Sequence, residues 1–298
     1  MRLDPAAARD HLRLPVVTRF APSPTGYLHL GHVVNAIYVW GLASALDGSV
    51  QLRIEDHDRI RCRAEFESAL LDDLAWLGFI DGAAPPAISR QRERGPVYET
   101  ALARLRAVAP VYACDCSRTS YTGERYPGTC RTRGLAELPG RGLRVQLAPG
   151  EARAWDLALG ELTQSPADEY GDLLLRDRYG QWTYQFAVTV DDLEAGVSLV
   201  VRGTDLVSST GRQVQLGRLL QVAGLAGTPW PPAYVHHPLI VGPDGQKLSK
   251  SSGSTGVREL RAGGLAPAAV LGRAAAAVGL VQPGTGVALS DLPALVTV

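Results

Sequence analysis

The sequence predicts an α/β fold with its functional crevice at the C-terminal ends of the strands. Three observations lead there. Val16, Val17 and Phe20 close a short apolar run that reads as a buried strand; Pro22, Pro24 and Gly26 then exclude regular structure, and a helical run from Leu30 to Leu46 begins. Strand, tight loop and helix N-terminus together make the place where an α/β sheet usually holds a nucleotide. Val50 to Ile54 reads as a second strand ending in Glu55, Asp56 and Asp58, and carboxylates at the C-terminal edge of a parallel strand face the ligand crevice.

With 298 residues, 46% of them hydrophobic, the chain can bury a sizeable core in one domain with an insertion or in two. The formal net charge is zero, so any basic surface for a nucleic acid has to be local. The opening MRLDPAAARDHLRLP is charged and contains proline, unlike a signal peptide or membrane anchor, and no apolar run reaches membrane-spanning length. A soluble cytoplasmic protein is expected, with no membrane partner. There is no internal repeat, and the only compositional bias is an alanine-rich helix near the C-terminus.

His29 and His32 sit one turn apart at the start of the first long helix, on one face. Gly31 between them has no side chain to keep a ligand from the backbone. Imidazole donors beside the positive end of a helix suit charge developing on a transferring phosphate group. A bare HxxH is more often two surface histidines; the whole stretch RFAPSPTGYLHLGH is far more specific. It resembles the HIGH signature of class I aminoacyl-tRNA synthetases, and its leading RFAPSPTG resembles the glutamyl/glutaminyl branch. LRIEDHDRIR is similar to the LRxEDTDxxR block of that family, which implies that Glu55 holds a substrate α-ammonium; His57 departs from the family threonine.

Phe66 to Leu77 has helical spacing, with Leu70, Leu71, Leu74 and Leu77 on one stripe that core packing explains. Val97 to Val108 reads as a further helix, ended by Pro110. The middle third differs in kind. Cys114, Cys116 and Cys130 lie within seventeen residues, while Cys62 is distant. Cysteines separated by one residue do not pair without strain, and thiolates clustered about a turn favour zinc, which takes four ligands in a closed structural site. Tyr126, Asp115, Cys62 or a water has to complete such a shell; the alternative is three inert thiols. The Cys-x-Cys and Tyr-x3-Cys arrangement resembles the zinc site of the glutamyl-queuosine synthetases, which implies Tyr126 as fourth ligand. Arg118, Arg125, Arg131, Arg133, Arg141 and Arg144 surround this knuckle. They form either a solvated face or a clamp for an RNA backbone; the family, which carries an insertion at this point, favours the clamp.

Short strands are expected over Leu143 to Leu147, Trp155 to Leu157 and Leu173 to Leu175. WTYQFAVTVDDLEAGVSLVVRGTD then resembles family blocks that imply Tyr184 and Arg202 as amino-acid-pocket residues, with Thr204 departing from the usual glutamate. Arg202 ends the apolar strand Val197 to Val201, where a planar guanidinium can clamp a carboxylate with two parallel bonds. Arg19 offers a second guanidinium, suited to a substrate with two carboxylates. The Asp191–Asp192 pair reads as packing at the domain junction.

The chain has 30 Lys plus Arg, yet Lys247 and Lys250, in KLSKS, are its only lysines. Where ammonium persists in a chain that otherwise uses guanidinium, a compact point charge is needed. KLSKS resembles the KMSKS loop of class I synthetases, with Leu248 in the methionine position, which implies that Lys250 meets the ATP phosphates.

The resemblance spans about Arg19 to Gly253. It implies a Rossmann-type, doubly wound parallel sheet split by a zinc-bearing insertion, with a small helical C-terminal part. The implied division is 1–110 and 189–252 for the two catalytic halves, 111–188 for the insertion and 253–298 for the C-terminal part, with no anticodon-binding domain. The implied site is His29, His32 and Lys250 for catalysis; Arg19, Ala21, Ser23, Glu55, Tyr184 and Arg202 for L-glutamate; His29, Gly31, His32, Lys247 and Lys250 for ATP with Mg2+; and Cys114, Cys116, Tyr126 and Cys130 for one structural zinc. Glutamate would be activated as the adenylate. The acceptor implied by the glutamyl-queuosine resemblance is the queuosine base in the anticodon loop of tRNA(Asp). The competing acceptor is the 3′ end of tRNA(Glu), as in a shortened glutamyl-tRNA synthetase. A non-catalytic RNA-binding relative would not need both histidines, Glu55 and Lys250.

Overall fold

A computed structural model describes residues 1–58, 60–84, 86–225, 227, 229–241 and 256–298. The KLSKS stretch, with Lys247 and Lys250, lies outside the described residues. Ten strands are described: β1 (Val17–Phe20), β2 (Ser49–Ile54), β3 (Ile88–Arg90), β4 (Val111–Cys114), β5 (Gly142–Val145), β6 (Ala152–Asp156), β7 (Gly160–Gln164), β8 (Leu173–Arg176), β9 (Leu199–Gly203) and β10 (Ala233–His237).

Two parallel half-sheets make the centre. β1 pairs with β2 and β2 with β3, all parallel, while β10 lies parallel to both β9 and β6. The halves meet between β1 and β9, where Ser198 N donates to Val17 O at 2.9 Å and Val17 N donates to Ser198 Oγ at 3.0 Å. The resulting order is β3-β2-β1-β9-β10-β6-β7, and it reverses direction of travel at β1/β9. A crevice opens outside the strand ends at such a switch point. β9 and β10 are buried along nearly their whole length. Their apolar runs therefore do not alternate, as expected of strands covered on both faces.

The Leu30–Ala45 helix follows β1 and is buried on nearly every side, with Val33, Val34, Ile37, Tyr38, Val39 and Leu42 in the main core. The alanine-rich helix Pro267–Ala277 and the short Leu292–Val296 helix pack against it. Sequence periodicity did not find Leu292–Val296: it is one turn with Pro293 near its start, held by tertiary contact, with Leu3 N donating to Val296 O at 2.8 Å.

A separate antiparallel sheet, β4-β5-β8, carries the cysteine knuckle and lies over a second core that includes Tyr98, Leu143, Leu175 and Phe186. β6 and β7 fall within 111–188 in the chain yet extend the main sheet, with Tyr234 of β10 opposite Asp156 of β6. Among the described residues no helix is long and apolar enough to cross a membrane.

Candidate active site

A cavity of about 530 Å³ opens at the β1/β9 switch point. Its lining includes Arg19, Ala21, Ser23, His29, Gly31, His32, Glu55, Tyr184 and Arg202, so every amino-acid and nucleotide residue expected from the sequence, outside KLSKS, falls in one place. Arg19 and Glu55 stand at or just past the ends of β1 and β2, Arg202 near the end of β9, and Tyr184 opens the Tyr184–Glu194 helix. Ser23 donates to the Glu55 carbonyl at 2.8 Å and Glu55 N donates to Pro22 O at 3.0 Å, which stitches the proline loop to β2.

The two histidines are set by the helix start itself. Gly31 N donates to His29 Nδ1 at 3.1 Å, and His29 N donates to His32 Nδ1 at 3.2 Å. Each Nδ1 accepts, so a neutral ring carries its proton on Nε2 in both residues. The rings lie 3.9 Å apart. A Cβ on Gly31 would come within 2.9 Å of His29 Cε1, so glycine is required first by the His29 ring folded over the helix end. The expectation of ligand access gave a different reason for the same residue.

The pocket charges are braced from behind. Arg19 Nε donates to Asp192 at 3.1 Å and Arg19 Nη1 to Val201 O at 3.2 Å. Arg53 donates to Asp192 at 2.6 Å and to Glu55 at 3.2 Å. Burial opposes ionisation of Asp192, but Arg19 and Arg53 hold its carboxyl below the usual range. For Glu55 burial wins over Arg53, Arg19 and His57 and pushes the carboxyl up. Part of the Arg19 fork is therefore already taken by the protein, and the second guanidinium expected from the sequence stands in the cavity braced by Asp192. Asp191 accepts from Arg94, Gln91 and Tyr98, so the Asp191–Asp192 pair serves the junction and the pocket at once.

Arg202 is held differently. Its Nε donates to His236 Nε2 at 3.0 Å, Nη1 to Gln213 Oε1 at 2.7 Å and Nη2 to Thr210 Oγ1 at 2.9 Å. His237, beside His236, lines the cavity, stacks on Tyr38 and is held by Asn35 at 3.0 Å; burial depresses its pKa to about 4. Sequence reasoning passed over His236, His237 and Asn35. The strand-end rule applied to Glu55 and Arg202 would have marked the YVHHP histidines as well.

The knuckle lies apart from this cavity. The Sγ atoms of Cys114, Cys116 and Cys130 all fall within 4.8 Å of one another, with Cys116 and Cys130 at 3.5 Å. Tyr126 Oη is 3.5 Å from Cys114 Sγ and accepts from Cys130 N at 2.9 Å. Ligands 2.3 Å from a tetrahedral ion stand about 3.8 Å apart; the three thiols could hold a metal, with the Tyr126 phenol beside Cys114. Asp115 also approaches Cys130 Sγ, at 3.2 Å, but it is tied to Arg133. Cys62 stands beside Ser23 and the Glu55 carbonyl and has no part in the cluster. Gly171, at φ +71°, lets Tyr126 dock: a Cβ there would meet the Tyr126 carbonyl oxygen at 2.0 Å.

Three of the arginines about the knuckle have partners within it. Arg131 makes a two-pronged pair with Asp172 at 2.9 Å on each arm, Arg133 pairs with Asp115, and Arg144 is buried with its guanidinium over the Tyr126 ring. These contacts hold the knuckle, while Arg131 and Arg133 remain exposed.

The family described as "tRNA synthetases class I (E and Q), catalytic domain" matches residues 15–132 and 141–277. The chain belongs to the class I tRNA synthetases of the E and Q group. Its similarity to curated members is extensive. This synthetase is 40% identical over 290 residues to the Glutamyl-Q tRNA(Asp) synthetase of Burkholderia mallei, covering 92% of this chain and 91% of that one. It is 39% identical over 269 residues to the Glutamate–tRNA ligase of Oleidesulfovibrio alaskensis, covering 86% of this chain and 55% of that protein. The crystal structure of glutamate-tRNA synthetase from Elizabethkingia anophelis superposes with a TM-score of 0.75 at 24% identity, over 93% of this chain and 65% of that one. That likeness extends the fold assignment and no more.

Proposed function

We propose that this chain activates L-glutamate with ATP and transfers the glutamyl group to the queuosine base in the anticodon loop of tRNA(Asp). The observation that carries the reading is the 40% identity, over about nine-tenths of both chains, to a relative named Glutamyl-Q tRNA(Asp) synthetase. The cavity supplies the chemistry that such an activity needs.

In this reading Arg202 and Arg19 take the two substrate carboxylates, and Glu55 takes the α-ammonium between them. Tyr184 walls the pocket, and Ala21 and Ser23 shape its floor. One oxygen of the α-carboxylate attacks the α-phosphorus of ATP; the P–O bond to pyrophosphate breaks, and glutamyl-adenylate forms. No side chain has to act as nucleophile, because in-line placement and charge stabilisation suffice. The Nε2–H groups of His29 and His32, beside a helix N-terminus, donate toward the phosphates. Lys250, with Lys247, contributes ammonium charge to the same phosphates by its family resemblance. Magnesium accompanies ATP, held mainly by phosphate oxygens. A hydroxyl of the acceptor base then attacks the acyl carbon, and AMP leaves.

Zinc at Cys114, Cys116, Tyr126 and Cys130 is structural in this reading. Burial opposes ionisation of Cys114, but Tyr126 and Arg144 hold its thiol below the usual range, which suits a metal ligand. The ion would staple the loop, and no reaction step passes through it.

The test is the site of acylation on labelled tRNA. tRNA(Asp) lacking its 3′ end is expected to be glutamylated, because loop bases can be splayed into a pocket, and tRNA(Asp) lacking queuosine is not. Loss of charging on 3′ truncation, with normal charging of tRNA(Glu), would assign the chain to 3′-end aminoacylation.

A further inference from the structure

Arg202 is a buried arginine with no carboxylate partner among the described residues. Arg19 and Arg53 share Asp192, but the three groups bonded to Arg202 are an imidazole, an amide and a hydroxyl, all neutral acceptors. A guanidinium held this way keeps its full charge for an incoming anion. Three of its five N–H groups are occupied, which leaves one on each terminal nitrogen, the pair that can fork onto a carboxylate.

The imidazole is itself held from behind. Asp156, the last residue of β6, is fully buried. Its Oδ1 accepts from Ala158 N at 2.8 Å and Leu159 N at 2.9 Å, which pins the carboxylate. Its Oδ2 accepts from His236 N at 3.1 Å and from His236 Nδ1 at 2.5 Å. Nδ1 must therefore carry the proton, and Nε2 must be the acceptor that Arg202 Nε requires. β9 and β10 are in register with Arg202 opposite His236, and the Tyr234 ring stacks on His236 while lying 5.2 Å from the guanidinium carbon. Strand pairing, ring stacking and the Asp156 bond thus all set one plane.

We propose that His236 is a positioning residue: locked by Asp156 as a neutral Nδ1–H imidazole, it orients the Arg202 guanidinium for the substrate carboxylate. This rests on the reading of Arg202 as the carboxylate clamp. His236 touches no substrate. A protonated or flipped ring would turn an N–H toward the Arg202 Nε–H and push the fork out of line.

Three substitutions separate orientation from mere packing. His236→Asn keeps a donor for Asp156 and loses the acceptor for Arg202. His236→Gln places a carbonyl near the Nε2 position and restores that acceptor. Asp156→Asn presents an amide N–H to Nδ1 and favours the wrong tautomer, a change of the kind that leaves geometry intact while reversing proton position. In glutamate-dependent ATP–pyrophosphate exchange, His236→Asn and Asp156→Asn should raise KM for glutamate by about 10- to 100-fold, the effect of one hydrogen bond to a charged group. KM for ATP should stay within about threefold in both, and His236→Gln should recover most of the glutamate affinity. If His236→Asn does not fold, Asp156→Asn against His236→Gln decides the matter. Unchanged glutamate KM in His236→Asn and Asp156→Asn, alongside a raised one in Arg202→Ala, overturns the inference alone. Parallel rises in both KM values, the same for Gln and Asn, mark a packing role and also overturn it. An unchanged glutamate KM in Arg202→Ala overturns the underlying assignment of the clamp.

Discussion

The cavity at the switch point and the cysteine knuckle are both clusters of polar side chains at strand ends, and they are stabilised in opposite ways. In the cavity, the carboxylates have cationic partners within the chain: Asp192 lies between Arg19 and Arg53, and Glu55 against Arg53. In the knuckle, three thiols face one another and a phenol, groups that are poor partners for each other. That ion-pair network is complete within the chain. The second gathers metal-ligating atoms, and in the proposed reading an ion completes it. A preformed ion-pair network can wait for substrate, whereas a cluster of metal-ligating thiols would couple its folding to metal binding.

That contrast is most exposed at the knuckle. Purified protein should contain about one zinc per chain, and chelation or Cys130→Ala should unfold the knuckle, since structural zinc supplies roughly 10–16 kcal/mol of apparent folding free energy. Limited proteolysis with and without chelator, beside metal analysis, reads this out. A metal-free wild type with the same cleavage pattern would erase the distinction between the two regions.

A smaller effect is expected inside the cavity. Asp192→Asn leaves Arg19 and Arg53 short of a buried counter-charge, and breaking a buried pair in this way costs about 3–5 kcal/mol. Urea unfolding should show the loss as a lower midpoint with unchanged slope. A midpoint equal to wild type would mean that the network is not what holds the pocket.

Asp73 gives the smallest effect and a control for both regions. It is 2% exposed and its Oδ2 has no hydrogen-bond partner, and burial raises its pKa from 3.8 to about 6 against the pull of Arg261 and Arg258. Between those two values the folded chain binds more protons at this site than the unfolded one, so Asp73 makes stability fall as pH rises. Asp73→Asn should therefore flatten that decline between about pH 4 and about pH 6. Urea midpoints at both ends of the window test it, and an equally steep decline in the variant would exclude Asp73 as its source.

Much of the candidate site could be read directly from the chain because its residues sit where α/β winding must place them. Arg19, Glu55 and Arg202 lie at strand ends, and His29 and His32 open the helix after β1, so local pattern sufficed to bring them together. Partners at long range were not legible. Asp192 is 173 residues from Arg19, and Asp156 is 80 from His236, with nothing local to announce either bond. Arg131, Arg133 and Arg144 show the same limit: their charge is visible in the sequence, but the carboxylate or ring that engages each one is not.

By itself the sequence determined the α/β class, the loop that opens the nucleotide-type site, the three thiols with metal-like spacing, and the residue types in the pocket. These follow from short-range rules: apolar periodicity, proline and glycine punctuation, and ligand spacing along a few residues. Only the tertiary structure decided that β6 and β7 join the main sheet, that Tyr126 and not Cys62 stands with the thiols, and that Arg19 is braced by a carboxylate while Arg202 is braced by His236. The reason is physical. Which acceptor meets a buried donor depends on strand register across the sheet, and register is set by the packing of the whole core.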